Sequence, residues 1–330
     1  MIDSLRENEL TAVLHRDKFD ELPGGVRSMR DRERWKAFRV AYHEAQQLTK
    51  FTEFPLQVDF ELNSTCQMKC RFCLHGHEHV KKVLLSFDDF KRVIDEGSRY
   101  GLCSIKMNYI NEPLLNRDLD RYVAYARSRG VLNVYFATNG ILLNRATARR
   151  LIEAGVSKIM VSLDAVTPET FKLMRDSEQL EEIVDNIRGL IDLRNSLGLN
   201  YPLVRVNFLR SAINAHEADD FVRYWNGVAD FIGFQRQIGL PGVDDDLFDT
   251  GNASQFRCSF PFKLLVVESS GNILPCCTFS GRSMPIGNID TMTLKDAWNS
   301  IQMKRLKETH QRGDYASHKI CSFCIKGIAS

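Results

Sequence analysis

The alternation of short apolar runs with helix-length amphipathic segments between residues 56 and about 240 constrains this chain most strongly. The runs are LQVDFELN (56–63), SIKMNYI (104–110), NVYFATNG (133–140), KIMVSLD (158–164), LVRVNFL (203–209) and DFIGFQR (230–236). Helical patterns lie between them. The first, SFDDFKRVIDEGSRYG (86–101), opens with Ser86 and Asp89 in capping-box spacing and closes at Gly101. Further helices are expected over Asp118–Ser128, Arg145–Ala154, Leu180–Leu197 and Glu217–Trp225. Strands joined by helices run parallel with right-handed crossovers. The expected class is therefore α/β, with six strand–helix units that either close into a partial barrel or stay open. In both cases functional side chains belong where strands end and loops begin.

Composition bounds the rest. The chain has 330 residues, 44% hydrophobic and 26% charged, which suffices for a sizeable core; its net charge of +2 gives no field for nucleic acid. No apolar run reaches the length of a membrane span, and MIDSLRENEL does not read as a signal peptide, so a cytoplasmic protein is expected. Residues 1–55 read as a helical extension, with Trp35, Phe38, Ala41 and Tyr42 packing one face of a helix on the main domain. After the α/β domain (56–240), GLPGVDDDLFDTGNAS (239–254) reads as a linker or lid into a third segment, 241–330. There FKLLVVESSGNILPCC (262–277) reads as a β-hairpin turning at Ser270–Asn272, and TLKDAWNSIQMKRLKETH (293–310) as one amphipathic helix.

Nine cysteines in a reducing compartment argue for metal ligands rather than disulfides. Cys66, Cys70 and Cys73 directly follow the first strand, and His75, His77 and His79 come next. The residues alone permit a Cys3His zinc site or a cubane iron–sulfur cluster with one open iron. The position after a first parallel strand favours the cluster, with the histidines as a polar loop over its mouth.

The spacing Cys-x3-Cys-x2-Cys, with Phe72 before the third cysteine, resembles the radical S-adenosylmethionine (SAM) superfamily. The resemblance implies a partial (β/α)6 TIM-like barrel and a [4Fe–4S] cluster on Cys66, Cys70 and Cys73 whose open iron chelates SAM. Reductive cleavage would then release a 5′-deoxyadenosyl radical that abstracts hydrogen from substrate. Phe72, Asn111 and Glu112 of NEPLL, Asn139 of TNG, Ser162 and Asp164 of SLD, and Arg175 fall on the family's cofactor-binding segments. Glu112 is implied to meet the SAM amino group, and Ser162 with Arg175 the ribose and carboxylate. Asn111 stands where the family carries glycine.

Cys258, Cys276, Cys321 and Cys324 resemble the start of the C-terminal SPASM extension in its shortened twitch form. This implies one auxiliary [4Fe–4S] cluster with all four ligands, suited to electron transfer. The order GNILPC, IGNI, AW, Cys-x2-Cys is similar to that of twitch-bearing aminocyclitol dehydrogenases. The implied activity is oxidation of an alcohol on a carbohydrate or aminocyclitol, with an electron passed to the auxiliary cluster. The implied partners are a small-molecule substrate and a reductant such as flavodoxin or ferredoxin, with neither nucleic acid nor membrane. The alternatives are an epimerase using Cys277 or Cys103 as hydrogen donor, a peptide- or protein-modifying enzyme, and a structural zinc protein. Arg205 and Asn207 share a face of the fifth strand and, with Cys277, are the candidates for substrate contact. Asp59, Glu61, Asn108, Tyr109, Gln235 and Arg236 lie on similar strands, so no base is singled out.

Overall fold

Gln57 and Asp59 of β2 (Gln57–Phe60) are buried as thoroughly as Val58 and Phe60 on the opposite face, so protein covers this strand on both sides. The computed structural model describes residues 11–14, 23, 28–236, 258–322 and 324. Five further parallel strands follow β2: β3 (Ser104–Lys106), β4 (Asn133–Thr138), β5 (Lys158–Ser162), β6 (Leu203–Arg210) and β7 (Phe231–Arg236). They bear out the six strand–helix units and the partial-barrel class. The helices are α1 (Met29–Gln46), α2 (Leu74–His77), α3 (Phe87–Arg99), α4 (Leu119–Ser128), α5 (Arg145–Ala154), α6 (Pro168–Arg175), α7 (Leu180–Ser196) and α8 (Ala218–Trp225).

Strand alternation separates two environments. Val58, Phe60, Ile105, Val134, Ile159 and Val204 face the helices and build the core. Gln57, Asp59, Ser104, Tyr135, Lys158 and Arg205 alternate with them and face the lumen. A buried parallel strand usually reads as a continuous hydrophobic run; polar lumen positions explain why these runs are interrupted. α3 begins as expected: Ser86 Oγ accepts from Asp89 N at 3.0 Å and donates to the Asp89 carboxylate at 2.6 Å.

Several expectations need correction. Residues 1–55 are not wholly helical, because β1 (Thr11–Leu14) pairs antiparallel with β7. α1 packs Trp35 and Phe38 on Cys103 and Leu132, beneath the ends where the strands begin. The third segment joins the barrel sheet. After the short α9 (Phe260–Lys263), β8 (Leu264–Val267) pairs in parallel with β2, and β9 (Asn272–Leu274) and β10 (Gly287–Asn288) follow. Among the described residues ten strands form one sheet, β1-β7-β6-β5-β4-β3-β2-β8-β9-β10, whose two ends do not pair with each other. The hairpin turns one residue earlier than expected: Glu268 N bonds Asn272 O at 2.9 Å around Ser269–Gly271, with Gly271 at φ +84°. The expected single helix is two, α10 (Leu294–Trp298) and α11 (Ile301–Arg312), because Ser300 leaves the helix to cap Met303 N at 3.2 Å. The segment 239–254, and with it the 240/241 boundary, lies outside the described residues.

α10 docks on the barrel through its own N-terminus. The Glu96 carboxylate of α3 accepts from Leu294 N at 3.0 Å and Lys295 N at 2.9 Å, and Trp298 Nε1 donates to Thr52 O at 2.8 Å.

Candidate active site

The cysteine loop leaves β2 and curls tightly. Cys73 N donates to Cys70 O at 3.0 Å, and Gly76 packs so close that a Cβ there would sit 2.5 Å from Cys70 O. Burial pushes the Cys66 thiol up to about 12 and Cys73 up to about 11, while each feels the charge of its neighbours in the loop. Iron binding must displace these protons. His75 Nε2 lies 2.5 Å from Ile110 O and His77 Nε2 2.6 Å from Arg71 O, so both rings pin the loop to backbone; His79 is exposed. The zinc reading therefore loses the histidines it needed.

Arg175, at the end of α6, reaches back to this loop. Its Nη1 donates to Cys70 Sγ at 3.6 Å, its Nη2 pairs with Asp164, and its guanidinium carbon lies 5.1 Å from the Phe72 ring centroid. Burial opposes its charge, but Asp164 and Cys70 outweigh that and hold the guanidinium above its ordinary range. Asp164 sits at φ +66° just past β5, a left-handed conformation in which its Oδ1 accepts from Leu209 N at 2.7 Å. Ser162 is half-buried at the end of β5 opposite Asn207.

Glu112 ties the strand ends together. It accepts from Thr138 Oγ1 at 2.7 Å, Leu114 N at 3.0 Å and Asn139 N at 2.8 Å, and burial raises it to about 7. Asn139 Nδ2 points at Cys66 Sγ, 3.8 Å away. Asn111 bridges Tyr109 N and Asn63 through its side chain, a role glycine does not have.

The second set also assembles. Cys258 interacts electrostatically with Cys276 and Cys324, as does Cys321. Burial pushes Cys321 up to about 12 and Cys324 up to about 11. Gly281 is the local requirement: a Cβ there would lie 2.6 Å from Cys276 O and 3.0 Å from its Sγ. His310, which the sequence reading missed, stands between Cys258 O (2.8 Å from Nδ1) and Cys321 Sγ (3.5 Å from Nε2). Nothing local marks it; it is one of several polar residues on α11. Arg282 joins the two halves, pairing with Glu268 at 2.9 Å and with Glu61, past the end of β2, at 3.5 Å.

Cys277 opens on the lumen. Burial pushes it up to about 12, and the charges acting on it include Asp59 and Lys106. Asp59, raised to about 6 by burial, accepts from Gln57 Nε2 at 2.6 Å. Arg205 and Asn207 are buried on β6, with Arg205 Nε and Nη2 and Asn207 Oδ1 lacking hydrogen-bond partners among the described residues. Cys103 is elsewhere: it immediately precedes β3, packed under Trp35 and Phe38 at the opposite end of the sheet from the cysteine loop. It is a small core residue, and its candidacy as hydrogen donor falls.

Both thiol sets fit iron–sulfur clusters. The first offers three thiols and one guanidinium with a spare Nε, and the second four thiols with Gly281 packed against Cys276. The comparisons agree. Residues 60–207 match the Radical SAM superfamily and residues 258–325 an iron–sulfur cluster-binding domain, SPASM. The chain is 33% identical over 161 residues to a probable GTP 3′,8-cyclase of Saccharolobus solfataricus, covering 49% of this chain and 50% of that one. It is 26% identical over 164 residues to one from Methanocaldococcus jannaschii, covering 49% and 52%. It thus spans about half the length of these curated relatives. Among solved structures, BtrN with AdoMet and 2-DOIA aligns at TM-score 0.58 and 18% identity, over 83% of this chain and 93% of BtrN. Streptococcus suis SuiB bound to S-adenosylmethionine gives 0.58 at 16%, over 91% and 79%. These likenesses are to the fold.

Proposed function

We propose, for a chain that belongs to the radical SAM superfamily and carries a SPASM iron–sulfur cluster-binding domain, that the barrel lumen holds a carbohydrate or aminocyclitol and that the enzyme oxidises one of its alcohols. The cofactors are SAM and [4Fe–4S] clusters, the first cluster on Cys66, Cys70 and Cys73 and the auxiliary one on Cys258, Cys276, Cys321 and Cys324. When bound, these groups supply a 5′-deoxyadenosyl radical that takes hydrogen from carbon and an acceptor for the electron that alcohol oxidation releases.

The chain's own residues do the rest. Arg175, fixed by Asp164, keeps a positive charge against the cysteine loop. The lumen excludes bulk water, which strengthens every polar contact within it. The hydroxyl proton goes to the Asp59 carboxylate, which burial has brought to about 6 and so close to neutral working pH. The observation that carries this reading is the complete four-thiol set joined to the barrel by the parallel β2–β8 pairing, with Cys277 and Asp59 facing one lumen.

A second reading rests on Cys277. Its raised pKa keeps a protonated thiol beside the lumen, and an S–H that donates a hydrogen atom to a substrate radical turns oxidation into epimerisation. The test is anaerobic release of 5′-deoxyadenosine from reconstituted protein with two substrate pools, one of sugars, sugar nucleotides and aminocyclitols and one of short peptides. Stimulation by the first pool, lost in Cys66→Ala, is expected. A ketone product supports oxidation, and an epimer lost in Cys277→Ser supports the second reading. Stimulation by peptides alone overturns both.

A further inference from the structure

The residue after Cys276 and Cys277 carries a capping signal that the backbone does not use. Thr278 is the N-cap of the short 3₁₀-helix Phe279–Ser283, yet its hydroxyl makes no cap bond. Ser86, Thr293 and Ser300 hold the same position before α3, α10 and α11, and each accepts from a first-turn N–H as such residues ordinarily do. The Thr278 hydroxyl turns to sulfur instead. Its Oγ1 lies 3.5 Å from Cys276 Sγ and is also a hydrogen-bond partner of Cys324. The Thr278 backbone N–H is directed at Cys276 as well.

The barrel fixes this residue in place. Tyr109, past the end of β3 and 7% exposed, donates from its OH to Thr278 O at 2.5 Å. Gly281 N donates to the same oxygen at 2.9 Å. The Tyr109 ring belongs to an apolar patch with Leu264, Val266 and Leu274, and both Cys73 and Cys277 pack against that patch. Thr278 is therefore held from the side where the two thiol sets approach each other.

Between a free thiol and a hydroxyl either group can donate. An iron-bound sulfur is a thiolate and only accepts, so the hydroxyl then has to be the donor. Hydrogen bonds to charged acceptors are stronger than neutral ones. An added electron puts more negative charge on the sulfurs, so donors aimed at them favour the reduced state and raise the reduction potential.

We propose that Thr278 is a positioning residue of the auxiliary site: its hydroxyl, anchored to the barrel through Tyr109, is shared between the Cys276 and Cys324 sulfurs and sets the auxiliary cluster's potential high enough to take the substrate's electron. This rests on the reading of the auxiliary cluster as electron acceptor. The balance is one electron: the substrate radical, its hydroxyl proton passed to Asp59, becomes a carbonyl by losing the electron that reduces the auxiliary cluster.

The test is an anaerobic redox titration of reconstituted holoenzyme followed by electron paramagnetic resonance, the auxiliary signal being the one that added SAM leaves unchanged. Thr278→Val keeps the shape and removes the hydroxyl. It is expected to lower the auxiliary potential by roughly a tenfold change in the one-electron equilibrium, about 59 mV, with iron content and the SAM-responsive signal intact. Thr278→Ser is expected to restore the native potential. Tyr109→Phe frees Thr278 O but keeps the hydroxyl; it is expected to lower the potential by less, and it carries the test if the valine variant does not assemble its cluster. A native potential in Thr278→Val, or in Tyr109→Phe where the valine variant does not assemble, overturns the inference, as does a serine variant as low as valine. The failures are separable. A native potential in Thr278→Val, with a sugar or aminocyclitol still oxidised to a ketone by the native enzyme, sinks the role of Thr278 and leaves the proposed function. A lowered potential in a protein whose native form makes no ketone from any such substrate does the reverse.

Discussion

Gly281→Ala should separate the two clusters. A Cβ at this position meets Cys276 O at 2.6 Å, about 0.8 Å inside the 3.4 Å at which ordinary contact begins, and Cys276 Sγ at 3.0 Å. The obstacle is backbone, so no rotamer change relieves it. Overpacking of this kind costs about 1–3 kcal/mol, and relief requires Cys276 to move by several tenths of an ångström. Metal sites tolerate about 0.2 Å in their ligand distances, so the auxiliary cluster should be lost before the fold is. Iron and sulfide analysis of anaerobically reconstituted protein should fall from two [4Fe–4S] clusters per chain to one. SAM-dependent 5′-deoxyadenosine release should persist, because Cys66, Cys70 and Cys73 lie on a different loop, while two-electron oxidised product should disappear. A variant with full iron content and unchanged melting temperature would refute the claim that this close approach shapes the ligand set.

Glu96→Ala strips one buried and one partly buried N–H group at the start of α10 of their acceptor. Thermal or denaturant unfolding should show a loss of about 1–3 kcal/mol with iron content intact; a change under about 0.5 kcal/mol would show that the docking does not depend on this cap. Asp59 gives a pH signature. Its folded pKa of about 6 exceeds the reference 3.8, so the folded state holds the proton more tightly. Stability from this group is present below 3.8 and is lost as pH rises through 6, by about 3 kcal/mol in all. Melting temperatures of native protein and Asp59→Asn across pH 4 to 7 should converge toward the acid end, with the variant ahead at neutral pH; parallel curves would contradict the assignment.

The cysteines show what is legible locally. Cys66, Cys70 and Cys73 span eight residues on one loop, so their chemistry is written in spacing alone. The helices were legible for the same reason: a cap such as Ser86–Asp89 and a 3.6-residue period are short-range facts. The helix over 293–310 was misread because apolar periodicity runs through Asn299–Ser300 while the cap at Ser300 interrupts the backbone. β1 was missed because its partner β7 lies more than 200 residues away.

The sequence by itself determined the α/β class and the spacing of Cys66, Cys70 and Cys73, since both depend on residues close in the chain. Tertiary structure alone decided that β8 extends the barrel sheet beside β2, that Arg175 answers to Asp164, and that Cys277 faces the lumen while Cys103 does not. It also decided that Arg205 lies against Gly233. These depend on which strand pairs with which and on the face each pleat presents. A one-residue shift in register would turn every lumen side chain into the core, and that register is fixed by packing summed over the whole sheet.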